Sequence, residues 1–153
     1  MQRADRVTMK ALVQRVRSAD VVVDGVEIAR IGHGLVVFVG VGHDDEAADA
    51  ERLAAKVAAL RIFGGGTEGP ERSVVDLGAG VLVVSQFTLM ADTRKGNRPS
   101  WSAAAAPYVA EPLVEVFAET VRRHVGTVAC GRFGAHMQIA MVNDGPVTVM
   151  LES

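Results

Sequence analysis

The sequence predicts one mixed α/β domain in which two main helices pack against largely buried strands. Three observations carry this. The chain has 153 residues, which suits one domain and leaves little room for a second. Apolar runs of strand length at 35–41 (LVVFVGV) and 81–89 (VLVVSQFTL) show no alternation, the pattern of strands covered on both faces. Two longer segments repeat apolar residues at helical spacing, one through Leu53, Val57 and Leu60, the other through Leu113, Val116, Phe117 and Val121. The order is strands, helix, strand, helix, strands. Without strict strand–helix alternation a doubly wound nucleotide-binding fold is not expected.

In order along the chain, residues 1–8 (MQRADRVT) are polar and read as an extension or alternative start ahead of Met9, with the domain proper over 9–153. A first strand is expected at 9–17, followed by a hairpin of 20–23 and 26–31 around Asp24-Gly25, a dipeptide suited to the positive φ angles of a type I′ turn. Asp44, Asp45 and Glu46 place carboxylates where a helix of about 46–61 begins. The triple glycine at 64–66 opens a loop expected to run to 73. After the 81–89 strand comes a polar, irregular segment, ADTRKGNRPSW. Pro107 and Pro112 then precede a helix of about 110–124, which Arg122, Arg123 and His124 close with favourable charge and Gly126 caps. Residues 136–142 alternate, with Met137, Ile139 and Met141 on one face; 143–146 (NDGP) reads as a turn, and 147–151 as the last strand.

Composition narrows the function classes. Hydrophobic residues at 49% and charged residues at 22% mark a globular chain, and the 5% aromatic content leaves Val, Leu, Ile and Ala to fill the core. The net charge of −2 argues against broad, sequence-independent nucleic-acid binding and leaves room only for a local basic patch. Cys130 is the single cysteine, so neither an internal disulfide nor a cysteine-rich metal site is available; a reducing cytoplasm is the expected location and Cys130 is read as core filler. No apolar run approaches the ~20 residues of a membrane span, and the N-terminus has no signal-peptide core. His33, His43, His124 and His136 have no ligand spacing. Phosphate-binding glycine motifs and the GxSxG elbow are absent. No metal and no cofactor is expected.

Two stretches draw chemical attention. In SQFTL, Ser85 and Thr88 supply hydroxyls at the end of a buried strand, and Gln86 is a bulky polar residue that needs partners in its apolar context. Arg94, Lys95 and Arg98 follow as a basic loop suited to phosphate. In NDGPVT, Gly145 before Pro146 is a poor way to build a regular strand; taken locally it is either an ordinary turn or a purposeful cis peptide.

Together these stretches resemble the D-aminoacyl-tRNA deacylase family over residues 9–153. The resemblance runs through MKALVQRV (9–16), LRIF (60–63), SQFTLMADTRKGNRPSW (85–101), GRFGAHMQ (131–138), NDGPVT (143–148) and the terminal VMLES. SQFTL and NxGPxT in this order are jointly very specific. Within that pattern an acidic residue often stands where this chain has His136.

The resemblance implies a mixed, strongly curved or barrel-like sheet and a homodimer with two composite active sites. Gln86, Phe87 and Thr88 would form the catalytic segment, with Ser85, Asn143, Met137, Gly145 and Pro146 lining the substrate site. The Gly145-Pro146 bond would be cis, enter the partner's pocket, and reject L side chains by exclusion. The implied substrate is tRNA carrying a D-amino acid or glycine, with Arg94, Lys95 and Arg98 toward the RNA. The ester would be attacked either through Thr88 or by a water assisted by the substrate's ribose 2′-hydroxyl, with amides near Gln86 and Phe87 as oxyanion donors. Two rivals remain: a non-catalytic dimeric module that binds aminoacyl ends, against which the intact SQFTL and NDGPVT argue, and a general small esterase using Ser85 or Thr88, against which the missing His or Lys base argues.

Overall fold

The computed structural model describes residues 7–153; the first six residues of the expected extension lie outside the described residues. Six strands and three helices follow in the order β1 (Lys10–Val23), β2 (Val26–Ile31), β3 (Gly34–Gly40), α1 (Ala47–Ala59), α2 (Val74–Leu77), β4 (Gly80–Ser85), α3 (Pro107–Arg122), β5 (Thr127–Cys130) and β6 (Gln138–Glu152). The mixed α/β expectation holds, and the sheet is barrel-like. Its order is β2-β1-β3-β4-β5, with β6 also paired to β1. Along one edge β1 pairs first with β3, through 10–16, and then with β2, through 19–23; β6 covers the other edge antiparallel. β3, β4 and β5 run parallel, and β2 curls back against β4 and β5.

Strand alternation divides the interior in two. Val16, Val21, Val36, Leu82 and Val84 point into the barrel. Val13, Leu35, Val37, Val39, Val81 and Val83 point outward, beneath α1 and α3, where Leu53, Val57, Phe117 and Val121 meet them. Both faces of β3 and β4 are therefore buried, as their unbroken apolar runs require. Each fully buried Val, Leu or Phe contributes roughly 1.5–3 kcal/mol, so aliphatic side chains can carry this core without many aromatics.

Several boundaries differ from expectation. The segments 9–17 and 20–23 form one strand, because β6 offers a partner along nearly its whole length. The Asp24-Gly25 hairpin is as expected, with φ of 49° and 77°. α1 starts where the carboxylates foretold, and the Glu46 amide donates to Asp49 Oδ2 at 2.8 Å. The loop at 64–73 ends instead in a Ser73-capped helix, α2, which its four residues made illegible; Asp76 N donates to Ser73 Oγ at 3.2 Å.

α3 begins at Pro107, in the first helical position where a missing N–H costs nothing, and Pro112 lies inside the helix. The helix ends at Arg122 and its cap residue is Arg123, in a right-handed conformation, so Gly126 is not its cap. The strand expected over 81–89 ends at Ser85. The largest correction concerns NDGP. It is not a turn between two strands; 138–152 is one strand, because both halves pair with the same antiparallel β1. His136 accordingly precedes this strand instead of opening it.

Candidate active site

The site is built where β4 leaves the sheet. Ser85 is its last residue, and the Gln86 amide still donates to Val39 O on β3 at 2.8 Å. The chain then tightens into a 3-10 turn over Phe87–Met90, closed by Ala91 N donating to Thr88 O at 3.2 Å. Gly40 makes this turn possible: a Cβ there would stand 3.1 Å from Gln86 O, Leu89 Cβ and Met90 Sδ. The Gln86 amide is thus taken by the sheet and is removed from the expected oxyanion donors. The Phe87 and Thr88 amides open the turn, where N–H groups have no intrahelical acceptor.

Beside the turn lies a cavity of about 600 Å³, bounded by the end of β4, the segment entering α3, and residues 133–139. Ala104, Ala105, Ala106 and Ala110 line it, and their short side chains leave the space open. Ser85, Gln86, Phe87 and Met137 reach its wall together with His136. At its rim the exposed rings of Phe87 and Trp101 meet edge to face, with centroids 5.3 Å apart. Trp101 and the alanine run were not singled out from sequence; the signal available was a lone tryptophan ending a polar segment.

Thr88 is placed differently. It is exposed and does not line the cavity, and Gln86 Nε2 donates to its Oγ1 at 2.5 Å. A donor at that oxygen cannot withdraw a proton from it, so this contact does not activate a nucleophile.

Asn143, Gly145 and Pro146 are not on the cavity wall of their own chain. They belong to an excursion in β6. Asn143 pairs with Val16 and Thr148 with Gln14, so Asp144, Gly145, Pro146 and Val147 all stand opposite Arg15. The Asn143 amide closes the neck, donating to Arg15 O at 2.9 Å and Val147 O at 3.1 Å. Gly145 and Pro146 are exposed, and the peptide bond between them is cis. Around them β6 keeps apolar side chains in the open, with Val142 54% and Met150 45% exposed.

In the basic loop the three cations are not equivalent. Arg94 grips Asp92 through Nε at 2.9 Å and a terminal nitrogen at 2.8 Å, and its amide donates to the same carboxylate at 3.0 Å. These bonds from Arg94 hold the Asp92 carboxyl down at about 2. Lys95 and Arg98 are exposed. Cys130 lines a separate cavity of about 490 Å³; burial pushes its thiol up despite Arg122 at 3.3 Å from Sγ. Among the described residues no three of His, Cys, Asp and Glu converge as metal ligands, and no helix is long and apolar enough to cross a membrane.

The profile of the D-Tyr-tRNA(Tyr) deacylase family matches residues 12–152. The chain belongs to this family. The deacylase is 60% identical over 148 residues to the D-aminoacyl-tRNA deacylase of Nocardia farcinica, covering 95% of this chain and 100% of the relative. It is 54% identical over 145 residues to that of Thermomicrobium roseum, covering 95% and 94% of the two chains. Among solved structures, a c-Myc DNA unwinding element binding protein superposes with a TM-score of 0.88 at 39% identity, covering 94% of this chain and 98% of that one. A probable eukaryotic D-amino acid tRNA deacylase shares the fold at a TM-score of 0.84 and 18% identity, covering 96% and 100%. The deacylase is therefore a hydrolase of a family that acts on aminoacyl-tRNA.

Proposed function

We propose that this deacylase hydrolyses the ester joining a D-amino acid, or glycine, to the terminal adenosine of tRNA, at a composite site shared by two copies of the chain. The observation that carries the reading is the separation, within one chain, of the cavity from the Gly145-Pro146 excursion. The cavity holds Ser85, Gln86, Phe87 and Met137, while Gly145 and Pro146 project from the exposed, apolar edge strand β6. A second copy packed on β6 would bury Val142 and Met150 and bring the Gly-Pro excursion to the cavity. Among the described residues β6 pairs with β1 alone, and exposed apolar side chains on such a strand favour pairing with a second copy.

In that site the Gly145 and Pro146 carbonyls accept from the substrate's α-ammonium group and hold the α-carbon close to backbone. An L side chain then collides with backbone, whereas a D side chain projects into the cavity and glycine has nothing to exclude. Selectivity by exclusion makes the identity of the side chain secondary. The Phe87 and Thr88 amides face the developing oxyanion. Ser85, Gln86 and Thr88 offer no general base, and His136 is the one imidazole on the cavity wall among the described residues. Attack by a water assisted by the ribose 2′-hydroxyl needs no base from the chain, and His136→Ala, expected to keep the single-turnover rate within about tenfold, tests that. The terminal base rests against the Phe87–Trp101 pair, since every base offers a face for stacking. Lys95 and Arg98 take phosphate.

Incubation with matched D- and L-aminoacyl-tRNA tests the activity: release of D-amino acid alone is expected. Equal release would indicate a general esterase, and retention without release a binding module. The composite site is tested by mixing two strongly impaired variants, Gly145→Ala and a cavity-filling Ala104→Phe. Random exchange makes half the dimers mixed, each with one intact site, so activity returns to about a quarter of wild type. No recovery despite subunit exchange would place both halves of the site in one chain.

Two further results follow from the assigned roles. Thr88→Ala should slow single-turnover deacylation less than about tenfold, because only the hydroxyl is lost and the amide remains; complete loss in this variant would restore Thr88 as nucleophile. Lys95→Ala with Arg98→Ala should lower the slope of log affinity against log salt by about 1 to 2, whereas Arg94→Ala, already engaged by Asp92, changes it less. An unchanged slope in the double variant would move the RNA contact elsewhere.

A further inference from the structure

The excursion that carries Gly145 and Pro146 lacks regular ladder bonds, so its orientation must be set by other contacts. Backbone ties hold its start: Arg15 Nε donates to Asp144 O at 2.8 Å, and a terminal nitrogen of Arg15 donates to Ile62 O at 2.5 Å. The Asp144 side chain adds a second layer. Its Oδ2 lies 3.6 Å from Arg15 Nε and 3.7 Å from His33 Nε2, and its Oδ1 lies 3.6 Å from Arg17 Nε. These groups come from two places, β1 and the turn between β2 and β3, and they converge on one carboxylate beside Gly145. The His33 ring stands edge-on to buried Phe63, with centroids 5.2 Å apart and planes at 89°, which fixes the direction of Nε2.

We infer that Asp144 is a positioning residue for stereochemical selection: held by Arg15, Arg17 and His33, its carboxylate sets the orientation in which the excursion presents Gly145 and Pro146. The inference rests on the proposed reading that these two residues face the substrate's α-carbon. The contacts from Arg17 and His33 are each modest, because these side chains are 74% and 51% exposed, whereas Arg15 is 19% exposed. The Asp144 side chain is only 28% exposed, and three partners on two elements define a direction that one ion pair would not. Exclusion of an L side chain depends on backbone placement at the ångström scale, so a small loosening acts on selectivity before it acts on folding. Among the described residues the ion pairs of Asp144 are those with Arg15 and Arg17, and His33 Nε2 lies beside the same carboxylate.

Single-turnover rates on matched D- and L-aminoacyl-tRNA, at saturating enzyme, test this. Asp144→Asn and Asp144→Ala should raise the L/D rate ratio about fivefold to tenfold, with melting temperature within a few degrees of wild type. His33→Ala and Arg17→Ala should move it in the same direction by less, and Asp144→Glu, which keeps the charge, should recover part of the selectivity. Raising salt from about 0.05 M to about 0.5 M should shift the wild-type ratio toward that of Asp144→Asn and leave the variant unmoved, a response that a packing role would not produce. An unchanged ratio in both Asp144→Asn and Asp144→Ala overturns the inference. Gly145→Ala, run in parallel, separates the two levels: altered selectivity there with none at Asp144 removes only this inference, while none at either position removes the proposed filter and the inference with it.

Discussion

Replacing Gly145 with alanine is expected to cut single-turnover deacylation of D-aminoacyl-tRNA by about a hundredfold, equivalent to about 2.7 kcal/mol of transition-state stabilisation, while the fold survives. A Cβ at this position would stand 2.3 Å from Val147 N and 2.9 Å from Val147 Cγ2. The first neighbour is backbone, so no rotamer change relieves the contact and the excursion must move. Even after it moves, the added methyl group projects from the backbone proposed to lie against the substrate's α-carbon. Global stability is spared because Asp144–Val147 stand outside the β1–β6 register and Gly145 is exposed. Rapid-quench deacylation read beside a thermal melt checks both halves. A wild-type rate would detach this dipeptide from the chemistry, and a collapsed melt would make its role one of folding.

Gly34→Ala should act in the opposite sense, on stability first. Gly34 pairs with Gly80 across the parallel β3–β4 junction, and a Cβ there would sit 1.9 Å from Gly80 O, 2.7 Å from Gly80 C and 2.9 Å from Gly80 N. Every neighbour is main chain at the start of two buried strands, and Gly80 N is itself bonded to His33 O at 3.0 Å. The strands must separate or shear, at a cost of about 3 kcal/mol or more for such overpacking. For a domain of this size that lowers the melting temperature by roughly 10 °C. Gly32→Ala is the internal control, since nothing lies within 4 Å of its added carbon. Equal melts for the two variants would show that the strands do not approach this closely.

Much of the fold is legible in the sequence because it is local. Unbroken apolar runs identified β3 and β4, helical spacing identified α1 and α3, and Asp24-Gly25 identified the hairpin. The misplacements have a common cause. Residues 81–89 look uniformly strand-like, yet the sheet ends at Ser85 because Gly40 on the neighbouring strand admits the turn that follows. NDGP has the composition of a reverse turn, yet β1 is long enough to pair with both flanks, so the segment bulges from one strand instead of reversing it. Arg94 resembles Lys95 and Arg98 until its bonds to Asp92 set it apart.

Residue patterning is enough for the mixed α/β class, for the elements whose periodicity is local, and, through SQFTL and NDGPVT together, for the family. Where those motifs lie in space depends on long-range pairing. Pairing partners far along the chain, Gln14 with Thr148 and Val16 with Asn143, push Gly145 and Pro146 out of the ladder. The approach of β3 to β4 brings Ser85, Gln86 and Phe87 to a cavity that a run of alanines leaves open. Contacts between residues more than a hundred positions apart, such as Arg15 with Asp144, leave no periodic trace in either segment. Periodicity records only which way a side chain faces within its own element, whereas the position of a site depends on which elements meet.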